Sequence, residues 1–130
     1  MNNVLQYLVA LGLFGLFDAV WLSMVANSFY KSKLGHLLAD KPQLGVAVIF
    51  YLIYIFAIIY FVVNPAINGE GSVGKVILNG AILGFVMYAT YDLTNHATLR
   101  NWPAVLTIVD MAWGTFVTAT VATVTYLIFR

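Results

Sequence analysis

An all-α membrane protein, a bundle of four transmembrane helices, is the fold class this sequence predicts, on three observations. Hydrophobic residues make up 62% of the chain and charged residues only 8%, whereas a soluble domain carries about a quarter charged residues. Four separate stretches reach the roughly 20 mostly apolar residues a helix needs to cross a hydrocarbon core about 30 Å thick. The alternating segments of about ten residues that mark a membrane β-barrel are missing. The whole chain, 1–130, reads as one integral membrane domain with the lipid bilayer as its partner.

In chain order the spans are predicted at about 4–26, 44–63, 73–91 and 104–129. The N-terminus lacks the basic segment of a secretory signal and its apolar run is longer than a signal core, so it reads as an uncleaved first span. Pro42 and Pro103 fall where the second and fourth spans begin, a position that tolerates a missing amide proton. Asn64-Pro65 is expected to close the second span, and Asn68-Gly69-Glu70-Gly71-Ser72 to form a short turn. The connections 27–43 and 92–103 carry Lys31, Lys33, Lys41 and Arg100, against Lys75 and Arg130 on the opposite side. Positive charge favours the cytoplasm, which places both basic connections inside and both termini outside. An echo between the halves, with Asp18 and Asp92 in similar places, is broken because the matching strings DAVW and DMAW fall on the first and fourth spans.

A net charge of +1 without a basic stripe points away from nucleic acid. The absence of cysteine excludes disulfides, thiolate metal sites and cysteine nucleophiles. Neither His-x-x-His nor Glu-x-x-His spacing occurs, so no cofactor and no dedicated metal centre is expected.

The residues that carry chemistry are acids inside apolar spans. Asp18, Asp92 and Asp110 are three of the five acidic residues, and an aspartate at the centre of a membrane helix costs about 2.5–3.5 kcal/mol on insertion. A rise of about 1.5 Å per residue puts Asp110 roughly 9 Å in from Ala104, and Asp18 roughly 12 Å in from Ala26, with Asp92 at the mouth of the third span. Three helices thus bring a carboxylate into one leaflet. Three carboxylates this close do not all ionise cheaply, so at least one should have a raised pKa unless Arg100, a lysine or a bound cation compensates.

Helical spacing puts Gly80, Gly84, Tyr88 and Asp92 on one stripe, and Asp110, Gly114, Thr118 and Thr125 on another. Gly15, Asp18 and Leu22 are expected to share the inward face of the first span with Trp21 beside them. Gly80 and Gly84 have the spacing that lets helices approach closely, and Gly12 and Gly15 offer a similar surface for internal packing or a homo-oligomer. The second span, which carries no charge, is the apolar wall, with Tyr51 and Tyr54 at the depth of the acids. The candidate intramembrane site is therefore Asp18, Asp92 and Asp110 with Trp21, Trp113, Tyr88 and Asn95, and with His36 and Arg100 at its mouth. Each has a plainer alternative. The acids can pin helices in register through polar contacts, His36 can be a headgroup-level histidine, and the tryptophans, Trp102 above all, can be interfacial anchors.

At the strings FDAVWL, FYKSKLGHL, YATYDLTN, ATLRNWP and TIVDMAWGT the chain resembles a bacterial family of membrane proteins called domain of unknown function 2177. The resemblance runs through nearly the whole chain. Its pattern includes Asp18, Trp21, Tyr30, Gly35, His36, Asp92, Asn95, Trp102, Pro103, Asp110 and Trp113, and His96 departs from it, which argues against a catalytic role for that histidine. The resemblance implies a four-helix fold in the cell inner membrane and supplies no reaction.

Three function classes follow. One is a binding or permeation protein whose inward-facing carboxylates hold a cation, a proton or a small amphipathic ligand. Another is a membrane enzyme acting on a lipid or isoprenoid by aspartate acid–base chemistry. The third is an accessory protein with purely structural aspartates. A chain of 130 residues leaves little room for a gated pathway in one subunit, so permeation would need a dimer, and the reading taken is ligand or ion binding in an inside-open pocket.

Overall fold

The computed structural model of the protein describes residues 2–35, 43–69 and 71–130. Among the sequence expectations, those on His36, Lys41, Pro42 and Glu70 lie outside the described residues. Four helical segments are long and apolar enough to cross a membrane: Asn3–Val25, Leu44–Asn68, Val73–Thr98 and Ala104–Phe129.

The first begins as α1 (Asn2–Trp21), widens through a five-residue π-helical turn (Leu22–Ala26) and continues as α2 (Asn27–Leu34). Helix therefore persists from Asn2 to Leu34, roughly 50 Å at the ordinary rise, and the start of the expected connection 27–43 is helical. The second span is α3 (Leu44–Ile58), a second π-helical turn (Ile59–Val63) and α4 (Asn64–Asn68). Asn64-Pro65 does not close it. Pro65 offers no amide to the preceding turn, and the widened turn ahead of it absorbs the lost bond so that helix resumes to Asn68.

The third and fourth spans are α5 (Val73–Thr98) and α6 (Ala104–Phe129). The Ser72 hydroxyl caps α5 by accepting from the Lys75 amide at 3.3 Å. Helix α5 runs well past Tyr91, so Asp92 sits inside it and most of the expected connection 92–103 is helical. The chain then reverses through a short turn in which Asn101 takes a left-handed conformation, φ 59°, which asparagine tolerates better than most residues. Pro103 precedes the first residue of α6, as its lack of an amide favours.

Helices α5 and α6 form the closest pair. A side chain on Gly84 would strike the Gly114 carbonyl and Thr118, and one on Gly80 would crowd Ala119 at 3.0 Å. Close backbone approach is thus what the glycine stripe provides. The Tyr88 ring lies directly over Gly114. Around this hairpin, Phe14 of α1, Tyr54, Ile55 and Ile58 of α3, and Val117 and Val121 of α6 make a closed apolar core. A second cluster of Leu34, Trp102 and Leu106 covers the end that carries Lys31, Lys33 and Arg100, called the basic end below.

The inward stripe of α1 is Gln6, Ala10 and Phe14, with Asp18 half-buried. That corrects the predicted face. Gly15 meets nothing within 4 Å, and Leu22 is exposed, because a four-residue spacing starting at Gln6 sets the buried line.

Candidate functional site

Two chambers lie toward the basic end, and Asp110 lines both. The smaller, about 110 Å³, is walled by Tyr30 and Leu34 of α2, Tyr91 and Asp92 of α5, and Leu106 and Asp110 of α6. Asp92 has no exposed surface, and both its carboxyl oxygens are without a hydrogen-bond partner among the described residues. Asp110 is nearly as buried and accepts a short hydrogen bond from the Tyr30 hydroxyl at Oδ1. That hydroxyl in turn accepts from Trp21 Nε1 at 3.2 Å. Burial, and then the Asp110 charge, hold the Tyr30 phenol above its ordinary value, so it remains a donor to the carboxylate.

The π-helical turn makes this arrangement possible. Trp21 and Tyr30 are nine residues apart, about two and a half α-helical turns, which would set them on opposite sides of an unbroken helix. The widened turn at Leu22–Ala26 takes up part of that half-turn and swings Tyr30 toward α6.

The larger chamber, about 510 Å³, is a cleft between α3 and α5 floored by Asp110. Phe50 and Tyr51 face Met87, Tyr88 and Tyr91 across it. Behind Tyr51 stands the third acid: the phenol donates to Asp18 Oδ2 at 2.7 Å. Tyr54, one turn deeper, is paired with Thr118 Oγ1 at 2.5 Å.

The structure thus brings Asp92 and Asp110 to one cavity and sets Asp18 apart, on its own tyrosine. Trp21 and Trp113 stack on each other, centroids 4.3 Å apart and planes 9° from parallel. Each covers a face of the other, so that face of neither ring receives a ligand. Tyr88 joins the cleft wall while packing on Gly114. Asn95 is half-buried one turn beyond Asp92, and Arg100 is exposed and lines neither chamber. Trp102 is buried: its Nε1 donates to Thr107 Oγ1 at 3.0 Å, and that hydroxyl meets His96 Nδ1 at 3.2 Å. This chain of bonds ties the end of α5 to the start of α6 and gives His96 a structural place.

Tyr30, Leu34, Tyr91 and Leu106 are the residues lining the smaller chamber that sequence reasoning left out of the site. Tyr30 lay in an expected loop, and no spacing rule places a residue beyond a π-helical turn. Among the described residues no group of three His, Cys, Asp or Glu side chains could hold a metal ion.

No curated protein and no solved structure matches the chain. A family model does, over residues 3–127, and its description is "Predicted membrane protein (DUF2177)". That span takes in both chambers and, save for the last two residues of the fourth, all four apolar helices, and the chain belongs to the domain of unknown function 2177 family of membrane proteins.

Proposed function

We propose that the protein reversibly binds a small cation, a proton or a monovalent metal ion, in the cavity between Asp92 and Asp110, entered from the cytoplasmic side. The observation that carries this reading is Asp92 itself, fully buried, with both oxygens unpartnered among the described residues, in a cavity shared with a second carboxylate. A carboxylate so placed costs several kcal/mol unless something positive neutralises it. The small volume suits an ion and excludes a lipid, which weighs against a lipid-modifying enzyme working at this cavity. A purely structural aspartate would be expected to spend its oxygens on hydrogen bonds, as Asp18 does with Tyr51.

Infrared difference spectroscopy of the purified protein tests this directly. Exchanging protons, sodium or potassium over the sample should change the carboxyl and carboxylate bands of the wild type, and Asp92→Asn should remove that change. A wild-type spectrum indifferent to all three ions would sink the reading.

A further inference from the structure

We infer that the cleft between α3 and α5 is a second binding site, one for an amphipathic organic cation, with Asp110 as its counter-charge. The inference deepens the small-cation reading and rests on it, since the same carboxylate lines both chambers.

Size separates the two sites. The Asp92 cavity, about 110 Å³, takes an ion, whereas the cleft, about 510 Å³, takes an organic head group. It is lined by the aromatic side chains of Phe50, Tyr51, Tyr88 and Tyr91, the thioether of Met87 and the carboxylate of Asp110. Aromatic faces around one fixed negative charge are the chemistry that recognises alkylated ammonium groups. Electrostatics points the same way, because a second carboxylate, Asp18, stands behind Tyr51. None of the described basic residues lines the cleft.

The opening faces lipid. Phe50 and Tyr91 at the rim are 47% and 55% exposed. Ala47 and Tyr51 lie roughly 5–10 Å along α3 from Leu44, a depth just below the headgroups of the leaflet at the basic end. A cationic head can enter sideways at that level while its tail lies along the exposed apolar face of Val46, Ile49 and Ile53. A neutral lipid chain would fill the same gap without using Asp110, and an anionic amphiphile would be repelled by it.

Three amphiphiles sharing one tail separate these cases: decyltrimethylammonium, decanol and decyl sulfate. They are titrated into the full-length protein in a neutral detergent and read by native mass spectrometry and tryptophan fluorescence. Decyltrimethylammonium should bind more tightly than the other two by about tenfold or more, and Asp110→Asn should abolish that preference. Because Asp110 also holds Tyr30, its substitution could disturb the fold. Ala47→Trp, which fills the cleft from its rim without touching a carboxylate, should likewise block binding. Equal binding of decanol, or ammonium binding that survives Ala47→Trp, overturns the inference. The infrared response of the Asp92 cavity is recorded on the same sample before any amphiphile is added. Failure of the cleft and failure of the ion site are therefore seen separately.

Discussion

Asp92 and Tyr30 differ in how much of their role was legible. The position of Asp92 on the glycine stripe of α5 follows from helical spacing alone, since Gly80, Gly84 and Asp92 are all buried. Its lack of partners does not, because that depends on what α2 and α6 present to it. Tyr30 reads as a loop residue in sequence and becomes the donor to Asp110 only through the folded geometry. These environments predict opposite responses to mild substitutions. Tyr30→Phe removes a donor from a buried carboxylate and should destabilise the protein by about 1–3 kcal/mol, lowering its melting temperature in detergent. Asp92→Asn removes a buried carboxyl that no described residue hydrogen-bonds, so it should melt at or above wild type in the absence of added cations. A large fall in melting temperature for Asp92→Asn would mark the residue as structural and count against the ion site.

Among the elements, the π-helical turn at Leu22–Ala26 sets which face α2 presents. Spacing rules assume a constant period, and they lose the chain wherever that period changes. For this reason the stripes of α5 and α6 are legible by pattern and the face of α2 is not. Deleting the exposed Met24 should restore an ordinary α-helical turn and leave Tyr30 facing Asp110, because a π-helical turn takes up about one extra residue without changing the face that follows it. The variant should keep its helix content by circular dichroism and melt close to wild type, well above Tyr30→Phe. The two glycine pairs make a second contrast. Gly84 lies where a side chain would strike the Gly114 carbonyl and Thr118, while Gly12 meets nothing within 4 Å. Gly84→Leu should destabilise the protein by about 1–3 kcal/mol or more, and Gly12→Leu should leave the monomer's melting unchanged. A large loss for Gly12→Leu would instead show that this face is covered by a second chain.

At the scale of the whole molecule, four spans and their order follow from composition and length, because lipid allows a helix few alternatives. The pairing of helices is less legible, since apolar faces look alike in a sequence in which most residues are apolar. Beyond the two chambers the bundle is closed by Ile55, Ile58, Val117 and Val121, all without exposed surface, so the acids communicate with one side only. From the charge bias we propose that this side is the cytoplasm. In a chain with no native cysteine, a membrane-impermeant maleimide should label Asn68→Cys in intact cells, and Ser32→Cys only once the membrane is broken. The reverse pattern would invert the topology and place the cavity mouth outside.

The stacked pair Trp21–Trp113 also makes the protein its own optical gauge. Only three tryptophans are present, and two of them lie nearly parallel at 4.3 Å on α1 and α6. Transition dipoles that close couple as an exciton, giving a split band in the ultraviolet circular dichroism spectrum that fades with small changes in spacing or tilt. Trp21 is also bonded to Tyr30, which holds Asp110. Any movement of that tyrosine when the chambers fill is therefore expected to register in the coupled band, without a label and without a substitution.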